Sequence, residues 1–398
     1  MSGLLEGLKV IDMGHLAAIP AAGATLADWG AEVIKVEPLS GEMARGTTRT
    51  VGVAGVDWGV QLMNRNKKGL ALDLKNESAR DIFYRLVERS DVFMANYETS
   101  ALRKLKADYA TLGKLNPRLI YASVTAYGTE GPDRDERGLD YSAAWARGGM
   151  QYIIGEPGLP PRPQRPAMMD RVTAAHVVSG ILAALIHRDK TGQGQELEVS
   201  LFHTGVWTLS SDIQAALVGS PLPQHQHANA SNPLANFYRT KDDRWFMMVM
   251  IQSDLFWPDF CRVIERPDLE HDPRFNTLNA RALNCEELIR IIDEIFATKT
   301  MAEWDKRLRE HHCMYSRVQT PLEVTTDPQA LANGFFAEID NPNGGKMTLV
   351  TTPVRFFQDP ASVRTPAPEV GQHTEEILLD MGYTWDDIAR FKEQKAIP

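Results

Sequence analysis

Cysteine is scarce in this chain: its 398 residues include three, Cys261, Cys285 and Cys313. An odd number of cysteines without a CxxC spacing does not suit a disulfide framework, a zinc site or a redox pair. The histidines include two close pairs, at 225 and 227 and at 311 and 312, but neither pair has a spacing typical of a metal site. The sequence therefore predicts a cytoplasmic protein without a metal ion.

Long apolar runs and basic runs are absent as well. No uninterrupted apolar stretch reaches the roughly 18 residues of a membrane span, and the opening MSGLLEGLKVIDMG has an acid where a signal peptide would be basic. The 43 lysines and arginines are outnumbered by 52 aspartates and glutamates, which gives a net charge of −9. No basic cluster is long enough to follow a phosphate backbone. We therefore expect neither a membrane nor a nucleic acid as a partner.

The chain does contain an alternation of short β-like runs and helical patterns. Leu8–Met13 and Ala31–Val36 are rich in valine and isoleucine and flank the helical pattern Ala17–Trp29. Such an alternation predicts a parallel sheet covered by helices, and at this length we expect an α/β fold with two domains. The alternation continues through the strand-like runs Gly69–Leu74, Asp91–Ala95 and Leu119–Ala126 and the helical pattern Glu77–Arg89.

Glycine and proline interrupt this alternation at two places. The polar stretch Thr129–Asp170 predicts a functional loop, and the apolar run Val172–His187 after it predicts a helix buried on both sides. The connector Pro221–Asn236 predicts a domain boundary, followed by a smaller and more helical unit. The remaining predicted elements are the strands Glu196–Phe202, Trp245–Ile251 and Lys346–Phe356 and the helices Leu255–Ile264, Cys285–Ala297, Met301–His311 and Thr374–Met381.

The first strand-to-helix turn tests for a nucleotide cofactor. A dinucleotide-binding turn reads GxGxxG, so that backbone amides can approach a pyrophosphate. Here the turn reads MGHLAAIPAAG, with Gly14 and Gly23 nine residues apart. The P-loop and GxSxG patterns are also absent, which disfavours an NTPase or serine-hydrolase site. We expect no nicotinamide or flavin on this turn.

Asp170 ends the long loop immediately before the predicted buried helix. One interpretation is an N-cap, whose carboxylate accepts an amide hydrogen bond from the first helical turn. The other is a catalytic nucleophile. The two are compatible, because the amides and the dipole of the helix would hold the carboxylate ionised and directed.

Lys75 follows the strand-like LALDL and stands close to Asn66, Lys67 and Lys68. A solvated surface explains this cluster as well as an anion clamp does.

Asn96 and Tyr97 follow the predicted strand DVFMA at its carboxyl end, where ligands bind in open α/β sheets. Arg103 and Lys104 add positive charge a little further on. If Lys75 converged with these two cations, a phosphate-bearing ligand would be indicated.

Five segments together resemble the class III coenzyme A (CoA) transferases, which include formyl-CoA, crotonobetainyl-CoA and 2-hydroxyacyl-CoA transferases and are related to the α-methylacyl-CoA racemases. The segments follow in order over nearly the whole chain, and KTGxGQxxxVSL together with GAEVIKVE is specific for this superfamily. They are GLKVIDMGHLAAIPAAGATLADWGAEVIKVE, NRNKKGLALDLK, MANYETSALRKL, GILAALIHRDKTGQGQELEVSL and GQHTEEILLDMGY.

This resemblance implies a Rossmann-like large domain made from residues 1–220 and 326–398, with a linker and a smaller inserted α/β domain at 221–325. It also implies a homodimer in which two subunits interlock like links of a chain. The family's catalytic aspartate precedes the helix that leads to KTGxGQ, and Asp170 in PAMMDRVTAAH matches it. CoA-binding positions are expected at Leu16, Ala18, Leu72, Lys75, Asn96, Tyr97 and Lys104, with Arg103 beside them.

Three departures from the family pattern narrow the expected substrates and the expected type of reaction. Formyl-CoA transferases have a glutamine where this chain has Ala17, and a glycine-rich loop where it has NASNPLAN, so oxalate and formate are poor candidates. Racemases have a histidine base in a GHD motif, which here reads Gly138, Leu139, Asp140. Leucine cannot remove an α-proton.

The implied reaction moves CoA from an acyl-CoA to a free carboxylic acid through an aspartyl-CoA thioester on Asp170, with no cofactor beyond the thioester substrate. GLDYSAAWARGG is similar to the 2-hydroxyacyl and aryl-lactate branch, which favours 2-hydroxy or branched organic acids. The alternatives are an α-methylacyl-CoA racemase, which Leu139 disfavours, and a non-catalytic CoA-binding protein in which Asp170 only caps its helix.

Overall fold

The computed structural model of the protein describes residues 3–47, 57–222 and 224–398, so Pro223 in the predicted connector lies outside the described residues. The chain forms two compact units. The first comprises Met1–Tyr152, Pro163–Pro221 and Leu331–Pro398, and the second comprises Ile153–Arg162 and Leu222–Ala330.

A six-stranded parallel sheet organises the first unit, with the spatial order β3-β2-β1-β4-β5-β6. The chain starts at the centre of the sheet, runs outward to β3 and returns to β4, so the strand order reverses between β1 and β4. This arrangement confirms the predicted α/β fold with a parallel sheet. The strands are β1 (Lys9–Met13), β2 (Glu32–Glu37), β3 (Lys68–Ala71), β4 (Val92–Ala95), β5 (Ile120–Thr125), β6 (Gln195–Ser200), β7 (Phe237–Arg239), β8 (Trp245–Met248), β9 (Tyr315–Arg317), β10 (Phe336–Asp340) and β11 (Lys346–Val350).

Helices connect these strands. In chain order they are α1 (Ala18–Asp28), α2 (Trp58–Asn64), α3 (Glu77–Glu88), α4 (Thr99–Leu105), α5 (Tyr109–Leu115), α6 (Met150–Ile153), α7 (Met168–Thr191), α8 (Leu201–Thr208), α9 (Ser210–Leu217), α10 (Ser253–Val263), α11 (Leu278–Leu283), α12 (Cys285–Phe296), α13 (Met301–Glu310), α14 (Pro321–Val324), α15 (Pro328–Ala332), α16 (Thr374–Asp380) and α17 (Trp385–Glu393). All seven predicted helical patterns contain a helix: α1, α3, α7, α10, α12, α13 and α16. The other helices were not predicted.

The two ends of the chain share one apolar core in the first unit. Ile11 of β1 and Phe83 of α3 are buried together with Phe391 of α17. The backbone N–H of Gly69 in β3 donates a hydrogen bond to Nδ1 of His373, at 3.0 Å. Burial of each such large apolar side chain contributes about 1.5–3 kcal/mol, so the C-terminal helices are part of this unit's stability.

The second unit has its own core around a three-stranded antiparallel sheet, β7-β8-β9. Phe296 of α12 stacks on Trp304 of α13 with ring centroids 4.7 Å apart, and both side chains are fully buried. The indole N–H of Trp304 donates to the carbonyl of Phe296 at 2.9 Å. The polar edge of the ring is therefore satisfied inside the core.

The segment between β5 and β6 differs from its prediction. The stretch expected to be a loop contains a π-helix, Asp140–Arg147, in which Ala143, Ala144 and Trp145 are buried. Phe202, expected at the end of a strand, lies in α8, because Ser200 ends β6 and caps the helix with its hydroxyl.

Helix α7 is longer than predicted and is buried along one face only. Its buried side includes Met169, Val177 and Ile181, whereas Ile186 is 59% exposed. The predicted burial on both sides is therefore not met within this chain. Among the described residues α7 is also the one helix long and apolar enough to cross a membrane, a property that core helices of globular proteins share.

Candidate active site

The loops after β1 and β4 meet at the point where the strand order reverses. The backbone N–H of His15 donates to Oδ1 of Asn96, and Nδ2 of Asn96 donates to the carbonyl of His15, both at 2.9 Å. The rings of His15 and Tyr97 contact edge to face, with centroids 4.9 Å apart. Ligands bind at such switch points in open α/β sheets. Three predicted CoA-binding positions, Leu16, Asn96 and Tyr97, thus lie on the two loops that border this crevice, and a fourth, Ala18, is the first residue of α1.

The amides of the first turn are already hydrogen-bonded within the protein. Gly14 N–H donates to Asp12 Oδ1 at 2.8 Å, and Leu16 N–H donates to Glu42 Oε2 at 2.9 Å. Leu16 has a φ of 61°, a left-handed conformation that is unfavourable for a residue with a Cβ. The hydrogen bond that its N–H donates to Glu42 helps to hold this conformation. This turn therefore cannot offer the same amides to a pyrophosphate, in agreement with the missing GxGxxG pattern.

A buried cluster of charges supports the turn from below. The Lys67 ammonium donates to Asp12 Oδ2 at 2.6 Å and to two backbone carbonyls at 2.8 Å, and its side chain is fully buried. The Lys35 ammonium donates to the carbonyl of Gly14 at 2.5 Å and lies 3.5 Å from Glu42 Oε1. Burial lowers the pKa of Lys67 to about 8 despite the charge of Asp12. Within the basic cluster near Lys75, Lys67 is therefore buried, and the solvated-surface interpretation does not apply to it.

Three predicted cations are free to meet a ligand. Lys75, before α3, and Arg103 and Lys104, on α4, are all exposed. None of them forms an ion pair with any residue that the structure describes, and no hydrogen bond joins Lys75 to the other two. Leu72 is buried beside β2, where its N–H donates to the carbonyl of Glu37 at 2.9 Å. The convergence of the three cations stays a prediction.

Asp170 lies inside its helix rather than in front of it. Helix α7 begins at Met168, so Asp170 belongs to the first turn, and the N-cap residue is Ala167, with a φ of 63°. The cap comes instead from Asp140, whose Oδ2 accepts the N–H groups of Met169 at 3.0 Å and Asp170 at 3.3 Å. The N-cap interpretation of Asp170 is therefore wrong, and Asp140 takes that role.

The Asp170 carboxylate is partly buried and has no hydrogen-bond or ion-pair partner among the residues in the described ranges. Burial raises its pKa to about 7, the negative charge of Asp140 adds to this effect, and Arg171 opposes it. Among the described residues no amide of the helix terminus donates to this carboxylate, so the directing hydrogen bond expected for Asp170 is absent while burial raises its pKa. Asp140 itself is 3% exposed, and burial raises its pKa although two amides favour its ionised form.

Comparison with known proteins places this geometry in a family. The profile of CoA-transferase family III matches residues 5–374. The chain is 34% identical to (R)-2-hydroxy-4-methylpentanoate CoA-transferase of Clostridioides difficile over 99% of each protein. It is also 34% identical to cinnamoyl-CoA:phenyllactate CoA-transferase of Clostridium sporogenes, over 100% of this chain and 98% of that protein.

The fold agrees with a solved structure. A CaiB/BaiF family protein from Brucella suis superposes with a TM-score of 0.85 at 27% identity, over 96% of this chain and 100% of the other. The resemblance inferred from the five sequence segments is thereby confirmed. The chain belongs to CoA-transferase family III.

Proposed function

We propose that this CoA-transferase moves CoA from an acyl-CoA to a free carboxylic acid through a covalent intermediate on Asp170. The observation that carries the proposal is the unpartnered, partly buried Asp170 carboxylate in the first turn of α7. A carboxylate with a pKa raised to about 7 is more basic than an ordinary one. It is therefore a better nucleophile once it is deprotonated.

The first half of the reaction loads the enzyme. An Asp170 oxygen attacks the carbonyl of the donor thioester and the C–S bond breaks, which gives a mixed anhydride and the CoA thiolate. The thiolate then attacks the Asp170 carbonyl, and the donor acid leaves as its carboxylate. The result is an aspartyl-CoA thioester.

The second half reverses these steps with the acceptor acid. Its carboxylate attacks the Asp170 thioester and releases the thiolate, which then attacks the acceptor carbonyl of the new anhydride. The acceptor leaves as its CoA thioester and the Asp170 carboxylate is regenerated. One thioester replaces another, so the exchange is close to thermoneutral and requires no cofactor beyond the CoA thioester itself.

For CoA binding we propose the crevice between the first turn and the loop after β4. The crevice is bordered by the two hydrogen bonds between the His15 backbone and the Asn96 side chain. The exposed cations without an ion pair among the described residues suit a phosphate-bearing ligand. The proposed contacts are Leu16, Ala18, Leu72, Lys75, Asn96, Tyr97, Arg103 and Lys104.

For the acids we propose 2-hydroxy or branched organic acids. Two similar enzymes act, by name, with 2-hydroxy-4-methylpentanoate and phenyllactate. The segment GLDYSAAWARGG is consistent with that branch, and Leu139 provides no base for racemisation.

For the assembly we propose an interlocked homodimer in the cytoplasm, with the second unit as an inserted domain. In the single chain, large apolar side chains of α7, α8 and α9 are left in solvent: Ile186 is 59% exposed, Trp207 62% and Leu217 75%. A partner subunit would cover such a surface.

Trapping tests the covalent intermediate. Incubation of the enzyme with an acyl-CoA, followed by hydroxylamine or borohydride, should modify Asp170, as read by peptide mass spectrometry. Asp170→Ala should abolish exchange while the protein stays folded. An adduct on another carboxylate would move the nucleophile elsewhere.

A deuterium experiment separates the transferase from the racemase. With 2-methylacyl-CoA in deuterated water we expect no enzyme-dependent α-deuterium, whereas an acyl-CoA mixed with free acids should yield new CoA esters. The acids should include succinate, aryl-lactates, aliphatic 2-hydroxy acids and oxalate. Rapid deuterium uptake without acyl exchange would instead favour the racemase.

A further inference from the structure

We propose that Asp140 is a positioning residue for the reaction: its carboxylate holds the first turn of α7, and with it the reactive carboxylate of Asp170, in place. The proposal rests on the proposed role of Asp170 as the nucleophile. In the sequence analysis Asp140 appears only as the third residue of the Gly138, Leu139, Asp140 stretch and has no role assigned to it.

Asp140, and not the residue before the helix, accepts the hydrogen bonds of the first amides of α7. The residue before the helix, Ala167, is in a left-handed conformation with a φ of 63° and provides no side-chain cap. A single oxygen of Asp140 accepts both the Met169 and the Asp170 amides, at 3.0 and 3.3 Å. The backbone of the nucleophile is therefore bonded directly to Asp140. Free N–H groups at a helix start need such a partner, because burial without one is costly.

Asp140 is itself held on a rigid element. It opens the π-helix, an uncommon conformation that often occurs at functional sites. The π-helix approaches α8 backbone to backbone: a Cβ placed on Gly205 would stand 2.4 Å from the carbonyl oxygen of Ala144. Asp140 is also 3% exposed, so its carboxylate has little room to turn away.

The charge of Asp140 also favours the covalent state. In the resting enzyme the negative charge of Asp140 acts against that of Asp170, and Arg171 is the positive charge that opposes this effect. The Trp145 indole and Arg171 act on Asp140 in the same stabilising sense. When Asp170 becomes an anhydride or a thioester, it loses its charge and this repulsion ends. An interaction that is unfavourable before the attack and absent after it lowers the barrier to acylation.

Two substitutions separate the charge from the hydrogen bonds. Asp140→Asn keeps an oxygen that can accept the two amide hydrogen bonds but removes the negative charge. The apparent pKa of the acid limb of kcat/KM should therefore fall by about one unit. Asp140→Ala removes both, and kcat should fall at least about tenfold while KM for the acyl-CoA changes less than about twofold. The matched control is Asp340→Asn, an exposed acid of β10 that pairs with Lys346 and lies outside the proposed site, and it should leave the pH profile and the rates unchanged.

Adduct trapping on the parent enzyme tests the proposed nucleophile, Asp170, separately from the positioning role of Asp140. If the parent gives no adduct on Asp170, the proposed nucleophile is wrong. If the parent gives the adduct but Asp140→Asn keeps the parent's pH profile and Asp140→Ala keeps its kcat, the positioning role is wrong. Should Asp140→Ala unfold, Asp140→Asn decides. If that variant also fails to fold, as judged by circular dichroism and CoA calorimetry, Asp140 is purely structural and the proposal is overturned.

Discussion

The protonation of a single carboxyl group should set the lower pH limit of this enzyme. Burial and the Asp140 charge raise the pKa of Asp170 to about 7, so below that pH the group is neutral and cannot attack. We therefore expect kcat/KM to rise with pH and to level off above about pH 7. The test is a pH profile of kcat/KM for the acyl-CoA, measured with the acceptor acid at a saturating concentration. An acid limb near the ordinary aspartate value, about 4, would show that the pKa of Asp170 is not raised in the free enzyme.

Lys75 and Lys104 should act on CoA affinity more than on turnover. Phosphate clamps bind the ground state and the transition state alike, so Lys75→Ala and Lys104→Ala should raise KM for acyl-CoA severalfold, with little change in kcat. The effect should shrink at high salt. Lys114→Ala, an exposed lysine on α5, is the control. Unchanged CoA binding in both variants by calorimetry would mean that these positions do not contact the ligand.

Lys67 should contribute far more to the free energy of unfolding than its neighbour Lys68. Lys67→Met would leave the Asp12 carboxylate buried without its partner, and we expect a loss of about 3–5 kcal/mol in the free energy of unfolding. Lys68→Met removes a partly exposed ion pair with Glu376, which should cost no more than about 1 kcal/mol. Urea denaturation of both variants measures the difference. Equal losses would show that the Asp12–Lys67 pair is not a buried charge pair.

These residues also mark where sequence reasoning stops. Asn96 and Tyr97 can be predicted because they directly follow a strand, and strand ends are readable from local patterns. Asp12 and Lys67 are 55 positions apart, and only the β1–α2 arrangement brings them together. Lys67 therefore looks like part of a solvated basic cluster. A signal for Asp12 exists, since an acid in the middle of VIDM interrupts an otherwise apolar strand.

At the scale of elements, the contact between the π-helix and α8 should tolerate no side chain at Gly205. Gly205→Ala would place a Cβ 2.4 Å from the Ala144 carbonyl, so the two helices must separate. We expect a loss of about 1–3 kcal/mol in stability and a lower kcat, because Asp140 moves with the π-helix.

Gly180→Ala on α7 is the matched control for that change. Its Cβ would meet only the flexible side chain of Leu197, at 3.3 Å. Alanine is a better helix former than glycine, so this variant should be neutral or more stable by up to about 1 kcal/mol. Thermal unfolding and steady-state rates of both variants test the contrast. Equal melting temperatures would show that the helix contact is not tight.

The strands of the six-stranded sheet and several of the longer helices were predictable, whereas the π-helix was not, for a physical reason. Most of the six strands are short, continuous apolar runs that are buried on both faces, and helices such as α3 have a hydrophobic pattern with a period of about 3.6. The π-helix has neither pattern. The start of α7 was also misplaced, because its cap is supplied by Asp140 from another element rather than by a residue at the helix end.

At the scale of the whole molecule, the proposed homodimer predicts a particle with twice the mass of one chain. Leu217→Glu puts a charge on the apolar surface of α9 and should reduce or abolish the dimer in light scattering after size-exclusion chromatography. Leu283→Glu, which changes a still more exposed leucine of α11 in the second unit, is the control. A monomeric parent enzyme with full activity would contradict the proposed assembly.

The hydrogen bond between Gly69 and His373 spans 304 residues, and this has a consequence for how the protein is made. At roughly 5–20 residues per second, a ribosome needs about 15–60 s to synthesise the segment between them. During that time the apolar side of the sheet is not yet covered by α16 and α17. All residues of the second unit are synthesised before these two helices. The first unit can therefore complete its core only after α16 and α17 have been synthesised. A nascent chain stalled before residue 370 should be sensitive to protease in the first unit and should recruit chaperones.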